Sequence, residues 1–215
     1  MEIKNKILEL NTRNGVVPSL SEWFNNCLDE QIRLGIFSDN REQLKDALTK
    51  DLIDYKNKYN LENVVLGMSG GIDSALTAAL FKNAGWNVTG VTMPVHQNEE
   101  ETDRGVEACE SLGIDHVQVD LSDTYDFYLK QNNSDKELSG KKESKDIKVR
   151  RGNIRARLRM LTLYNLANKL SGMVASTDNF SELSAGFWTL HGDVGDVAPI
   201  QSLSKSWEVP ALAEI

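Results

Sequence analysis

Residues 69–74 read Ser-Gly-Gly-Ile-Asp-Ser and separate a short apolar run from a stretch with helical periodicity. The apolar residues 63–68 are typical of a strand buried on both faces of a parallel sheet, and residues 75–84 favour a helix. Two adjacent glycines let the backbone approach an anion, and the next helix offers free N–H groups and a positive dipole end. The segment therefore predicts a strand, a phosphate-binding turn and a helix.

The loop differs from two common nucleotide-binding loops. It has neither the GxxxxGK[ST] pattern of a Walker A loop nor the GxGxxG dinucleotide fingerprint. It carries a carboxylate, Asp73, that would repel phosphate unless a cation lay between them, so we expect Asp73 to hold Mg²⁺. The alternative from the residues alone is a tight turn in which Asp73 only complements the helix dipole.

Further apolar runs alternate with helical stretches along the chain. Strands are expected at residues 86–93, 116–119 and 172–176, and helices at 40–60, 99–112 and 152–170. This order predicts an α/β fold, a doubly wound and mainly parallel sheet with helices on both faces, of the Rossmann-like type. We assign residues 1–39 to a helical extension and 40–215 to one domain. Residues 130–150 interrupt the pattern and are expected to form a surface loop, either a substrate lid or a plain linker.

Composition excludes several classes of protein. A chain of 215 residues with 40% hydrophobic and 26% charged residues is an ordinary globular one, and its net charge of −8 argues against a nucleic-acid partner. No apolar run is long enough for a bilayer and the N-terminus is too charged for a signal peptide, so we expect a cytoplasmic protein with no membrane partner. Cys27 and Cys109 have no metal-binding spacing and are expected to be reduced and buried.

Three later features place charged side chains near the predicted carboxyl ends of the strands. Four arginines crowd one short segment of this acidic chain, which suits planar recognition of phosphate or carboxylate but also a solvated helix face. Because alternating arginines spread around a helix, only one or two are expected to face a site. Glu182 is either a second Mg²⁺ carboxylate or a helix-surface residue, and Lys205 either stabilises an α-phosphate or lies on the surface. The four arginines are Arg151, Arg155, Arg157 and Arg159.

These motifs together resemble a known family. The SGGIDS loop resembles the pyrophosphate-binding loop of the N-type ATP pyrophosphatases. Residues 151–160, 176–182 and 186–193 are similar to the GN(V/I)xAR, GTDxxxE and GFFTKYGD segments of ammonia-dependent NAD synthetases, and Asp196, Pro199 and Lys205 follow in matching order. The resemblance runs from about residue 40 to 215.

The resemblance implies a reaction and a set of roles. Deamido-NAD is adenylated by ATP with release of pyrophosphate, and ammonia then displaces AMP to give NAD. Asp73 and Glu182 would hold Mg²⁺, Arg157 and Asp196 would contact deamido-NAD, and Asp193 and Lys205 would be catalytic, Asp193 by orienting or deprotonating ammonium. The resemblance also implies a homodimer. The implied ATP contacts are Gly67, Met68, Ser69, Gly70, Gly71, Ile72, Asp73, Ser74, Thr177 and Lys205.

The sequence departs from the family pattern at a few positions. Leu190 stands where the family has a Lys that contacts deamido-NAD, Thr92 lies near a position that is often Arg, and the spacing after Asp193 is one residue shorter. The sequence ends inside a helix expected from about Val209, whereas family members continue, so we expect either a compact variant or part of a longer chain.

Two other functions remain open at this point. One is another adenylating amidotransferase or a tRNA thiolase, although the thiolases use cysteines near the loop and a basic extension that this chain lacks. The other is a non-catalytic ATP-binding module, favoured by Leu190. The joint presence of Asp73, Glu182, Asp193 and Lys205 speaks against the module, because a binder has little need for all four.

Overall fold

The computed structural model describes residues 41–132, 144–193, 195–206 and 208–214. The expected extension at 1–39 and the middle of the expected loop at 130–150 lie outside these residues. The elements, in chain order, are α1 (Arg41–Tyr59), β1 (Asn63–Gly67), α2 (Ile72–Asn83), β2 (Asn87–Thr92), α3 (Glu99–Leu112), β3 (Asp115–Gln118), α4 (Ser122–Gln131), α5 (Lys145–Lys169), β4 (Gly172–Val174), α6 (Phe180–Ala185) and α7 (Glu208–Ala213).

The described strands form one parallel sheet in the order β3-β2-β1-β4. From β1 the chain winds outward through β2 to β3, and it then crosses back to place β4 on the other side of β1. The winding direction therefore reverses between β1 and β4. In open α/β sheets the crevice outside the carboxyl ends of two such strands is the usual ligand site. The predicted doubly wound fold is confirmed.

Two apolar cores cover the two faces of the sheet. The strands alternate between them: Val64 and Leu66 of β1 pack into one core and Val65 into the other, and all three are fully buried. Helices α1, α2, α3 and α7 supply the first core, and α4 and α5 supply the second. The predicted apolar face of α1 is confirmed, with Leu44, Leu48 and Leu52 buried.

The sequence prediction was wrong around the loop at 130–150. Helix α4 was not predicted and extends to Gln131, and α5 begins at Lys145, seven residues earlier than expected. Ser144 caps α5 by accepting a hydrogen bond from the Ile147 N–H at 3.2 Å, and Ile147 packs on the second core. Leu161 on α5 is 64% exposed. The Ser144 cap and one packed apolar side chain, Ile147, therefore stabilise the start of the helix in a segment that has few large apolar groups.

Two smaller expectations concern the thiols and the membrane. Cys109 is a free and fully buried thiol, as expected, and burial raises its pKa to about 11. Cys27 lies outside the described residues. Among the residues that the structure describes, no helix has both the length and the apolar character to span a bilayer.

We expect Phe81→Ala to lower the free energy of unfolding by about 3–5 kcal/mol, because it empties a core site. Phe81 is 0% exposed and meets the Trp86 ring edge-on, with the ring centroids 5.3 Å apart. Urea denaturation measures the loss. Phe127→Ala is the matched control, since Phe127 is 62% exposed and its loss should cost less than about 0.5 kcal/mol. Equal losses in the two variants would contradict this description of the core.

Candidate active site

The loop after β1 forms the floor of the site. Gly70 has a φ of +76°, and a Cβ there would lie 2.7 Å from the Cβ of Arg104 on α3, so the position requires glycine. Gly71 is the N-cap of α2 and has no side chain to bond the first N–H groups of the helix. The Ser74 hydroxyl donates to the Gly71 carbonyl at 2.9 Å and lies 3.3 Å from the Ser69 hydroxyl. The first turn of α2 therefore has no side-chain cap, an arrangement that suits an anion, and the predicted phosphate contacts of the loop remain predictions.

Helix α2 begins three residues earlier than the periodicity indicated. Asp73 and Ser74 consequently lie in its first turn, and both are buried. Only 12% of the Asp73 side chain is exposed, so its charge needs partners within the protein.

Those partners come from distant parts of the chain. Lys205 Nζ donates to Asp73 Oδ2, and it lies 3.6 Å from Glu182 Oε1. Asn179 Nδ2 donates to Asp73 Oδ1 at 3.1 Å. Burial lowers the pKa of Lys205, but its hydrogen bond to Asp73 and the charges of Asp73 and Glu182 outweigh burial and raise it. The structure thus brings together the three predicted residues Asp73, Glu182 and Lys205.

Two backbone contacts hold Lys205 in this place. Leu203 is fully buried, and its carbonyl accepts the Phe180 N–H at the start of α6, at 2.8 Å. The Lys205 N–H donates to the Ser181 hydroxyl at 3.0 Å. The segment that carries Lys205 is therefore fixed to the helix that carries Glu182.

The donor set around Lys205 Nζ suits Mg²⁺. Two carboxylates from different elements converge on one cationic nitrogen beside a phosphate-binding loop, and Mg²⁺ is usually held by one or two carboxylates with substrate phosphates completing its shell. No cluster of three or more metal-ligating side chains occurs within the described ranges, so an all-protein metal cage is not found there. Asp73 and Glu182 are the residues that would hold the ion.

A cavity of about 510 Å³ opens beside the loop, between the carboxyl ends of β1, β2 and β4. Its walls include apolar side chains such as Val91, Met93 and Leu163, and polar groups lie at its ends. Such a volume suits a nucleotide-sized ligand.

Two of the four clustered arginines line this cavity, and neither is Arg157. Arg155 and Arg159 face it from α5, whereas Arg157 is exposed and donates from Nε to the Leu190 carbonyl at 3.2 Å. Residues four apart share a helix face and residues two apart do not. Helical spacing therefore separates Arg157 from Arg151, Arg155 and Arg159, and the structure shows that the last two line the cavity, whereas Arg157 was assigned by resemblance.

Arg159 also shapes the wall of the cavity. It donates to the Met93 carbonyl and to Gln97 Oε1, both at 3.0 Å, and so holds the segment after β2. Arg155 lies over the Tyr125 ring at 5.3 Å, and its buried Nε has no hydrogen-bond partner. These two cations place positive charge inside an acidic protein at the cavity.

Carboxylates occupy the end of the cavity near β4. Thr177, Asp178 and Asp193 all line it. The Asp193 carboxylate accepts the Thr189 N–H, and Asp178 Oδ2 accepts the Ser176 hydroxyl at 3.1 Å. Burial and then the charge of Asp193 raise the pKa of Asp178 to about 7. Asp178 was not among the predicted site residues, although it lies inside the quoted segment 176–182.

The remaining predicted positions lie apart from the cavity lining. Asp196 accepts the Val174 N–H at 2.8 Å and the Tyr164 hydroxyl at 3.1 Å, so its carboxylate bonds the end of β4 to α5. Thr92 is buried against His116, with 2.9 Å between Oγ1 and Nε2. Leu190 is 55% exposed beside Arg157. The substrate roles expected for Arg157 and Asp196 remain predictions.

The raised pKa of Asp178 predicts a pH-dependent stability. The folded state keeps a proton to about pH 7 that an ordinary Asp releases near 3.8, so the stability from this group is lost as pH rises across that interval. In metal-free protein, the Tm of Asp178→Asn minus the Tm of the wild type should therefore increase by at least about 3 °C from pH 5 to pH 8. Thermal unfolding measures it, with the exposed Asp103→Asn as control for the lost charge. A constant Tm difference across this range would contradict the assignment.

The sequence of this chain matches those of known proteins. The model of the NAD synthase family matches residues 44–215. The NH₃-dependent NAD⁺ synthetase of Alkaliphilus oremlandii is 35% identical over 81% of this chain and 66% of its own length. The chain spans 63–66% of the length of the first curated relatives it matches.

Two solved structures share the fold and part of the sequence. The NMN synthetase of Francisella tularensis superposes with a TM-score of 0.73 at 31% identity, covering 82% of this chain and 71% of that one. The NH₃-dependent NAD synthetase of Campylobacter jejuni, solved with nitrate, gives a TM-score of 0.71 at 30% identity over 82% and 73% of the two chains. With the phosphate loop, the paired carboxylates and the sheet order in place, these matches show that the chain belongs to the NAD synthase family.

Proposed function

We propose that this chain is a ligase that converts the nicotinate carboxylate of deamido-NAD into the amide of NAD, using ATP and ammonia. The observation that carries the proposal is the convergence of Asp73, Glu182 and Lys205 beside the loop at 69–74, whose first residue, Ser69, also lines a cavity large enough for a nucleotide. A phosphate loop alone would serve any nucleotide binder. The added pair of carboxylates and the lysine supply what phosphoryl chemistry needs.

The first step is attack of the carboxylate on the α-phosphorus of ATP. The loop N–H groups and the hydroxyls of Ser69 and Ser74 would hold the phosphates that leave as pyrophosphate. Bound Mg²⁺ would neutralise phosphate charge between Asp73 and Glu182. Lys205, released from the carboxylates, would place its ammonium on the charge that develops at the transferred phosphate.

The second step is displacement of AMP by ammonia. Ammonia forms the new C–N bond to the acyl carbon, the bond to AMP breaks, and a proton leaves the nitrogen. Asp193 would place negative charge near the end of β4, where ammonium would be drawn in, and Asp178, whose pKa is raised to about 7, would accept the proton that leaves. Arg155 and Arg159, which line the same cavity, would face phosphate or carboxylate groups of the acyl adenylate.

A mononucleotide acceptor is the second candidate substrate. The superposition on an NMN synthetase is as good as that on an NAD synthetase. Leu190 also replaces a lysine that the family uses on deamido-NAD, which removes a cation from the region of Arg157. Nicotinate mononucleotide offers the same carboxylate without the adenylate half, so the chemistry of the site is unchanged.

The test is pyrophosphate release from ATP with Mg²⁺ and ammonium, with deamido-NAD, with nicotinate mononucleotide, or with neither. We expect release that depends on deamido-NAD and is accompanied by NAD, and a loss of at least about 100-fold in Asp73→Asn, since both the metal ligand and the Lys205 partner are changed. Release only with the mononucleotide would select the second candidate. ATP binding without pyrophosphate release under any condition would leave a nucleotide-binding module and contradict the proposal.

The proposal includes a homodimer that uses the exposed face beside Arg157. Leu161, one turn further along α5, is 64% exposed, and Leu190 is 55% exposed. Exposed apolar side chains grouped on one face are typical of an interface. Sedimentation velocity should show a dimer that Leu161→Glu dissociates, with Phe127→Glu on another helix as control. A monomeric wild type at micromolar concentration would contradict this part of the proposal.

A further inference from the structure

Asn179 connects the two carboxylates that would hold Mg²⁺. It is 0% exposed and lies at the N-cap of α6, four residues after Ala175. Its side-chain Nδ2 donates to Asp73 Oδ1 at 3.1 Å, and its own N–H donates to Glu182 Oε2 at 3.3 Å. One residue therefore binds an oxygen of each carboxylate.

The second oxygen of each carboxylate points elsewhere. Asp73 Oδ2 and Glu182 Oε1 are the atoms that contact Lys205 Nζ. Of the four carboxylate oxygens, two therefore contact Asn179, and the other two contact the same cationic atom, Lys205 Nζ. A hydrogen bond to one oxygen orients the carboxylate and leaves both lone pairs of the other oxygen available to a metal.

The remaining polar atoms of Asn179 fix its own position. Its Oδ1 accepts the Glu182 N–H at 3.1 Å, which closes a reciprocal capping box, and its carbonyl accepts the Leu183 N–H at 3.2 Å. A side chain held at both ends in a fully buried place has little freedom to turn. It can therefore impose a direction on Asp73 rather than follow it.

We propose that Asn179 is the positioning residue of the cation site, which aims one oxygen of Asp73 and one of Glu182 at the same point. The inference rests on the proposed function for the identity of the cation. Asn179 does not touch the substrate or the metal. Its donated hydrogen bonds set which oxygens are offered, and polar partners behind metal ligands typically change metal affinity 10- to 100-fold when they are removed.

Asn179→Ser separates positioning from capping. Serine also caps helices well, but it has no N–H to donate to Asp73. Asn179→Ala loses both the cap and the donor. The N–H of residue 179 remains in both variants, so Glu182 keeps its partner. Asn179→Thr, another capping residue without the donor, carries the same expectation as serine if the serine variant does not fold.

The readout is Mn²⁺ affinity measured by electron paramagnetic resonance, with a non-hydrolysable ATP analogue present. We expect Asn179→Ser and Asn179→Ala to bind Mn²⁺ about 10-fold more weakly than the wild type, while the alanine variant has the lower Tm of the two because it also loses the cap. Asn63→Ser is the matched control. Asn63 donates to the Leu170 carbonyl at 2.8 Å at the opposite end of β1, so its loss should lower Tm without changing Mn²⁺ affinity.

Asp73→Asn distinguishes failure of this inference from failure of the proposed function. If Asp73→Asn weakens Mn²⁺ binding but Asn179→Ser matches the wild type, Asn179 does not position the site and the inference is wrong. If Asp73→Asn leaves Mn²⁺ affinity unchanged, the metal assignment itself is wrong and the inference is lost with it. If Mn²⁺ affinity falls only in proportion to Tm across all variants, Asn179 acts only as a helix cap and the inference is wrong.

Discussion

Asp73 is a carboxylate buried at the first turn of a helix, and a charge in that position is costly unless charged or hydrogen-bonding groups surround it. Its partners, Asn179 and Lys205, are 106 and 132 residues away along the chain. They reach Asp73 only because β4 returns to the side of β1 and because the buried Leu203 anchors the segment before Lys205. The topology of the sheet therefore brings Asn179 and Lys205 to the buried Asp73 carboxylate, and their contacts with it in turn stabilise that topology.

The same arrangement links the fold to chemistry. A lysine between two carboxylates offsets part of their negative charge, and it marks where a divalent cation and phosphate oxygens would replace it. The cavity beside it has cations on the α5 wall and carboxylates at the β4 end. Cations and carboxylates that line one cavity suit the proposed reaction, which joins an anionic acyl phosphate to a nitrogen nucleophile.

Sequence patterns predicted the α/β layers, the positions of the four strands and the turn after the first strand, because buried strands and glycine turns have recognisable local sequence patterns. They missed α4, whose buried Tyr125 and Leu129 are too few to give a clear period. They did not show that Arg155 and Arg159 line the cavity, whereas Arg157 lies outside its lining and its expected substrate role remains a prediction. Asn179 left no trace, since a buried amide contacting a residue 106 positions away resembles any cap in sequence.

The most direct test of the central claim is a crystal structure of the chain with Mn²⁺ and a non-hydrolysable ATP analogue. The account predicts an anomalous peak at coordination distance from Asp73 and Glu182, phosphates on the loop at 69–74, and Lys205 Nζ moved from the carboxylates onto a phosphate oxygen. Metal bound elsewhere, or Lys205 still between the two carboxylates with the nucleotide in place, would contradict it.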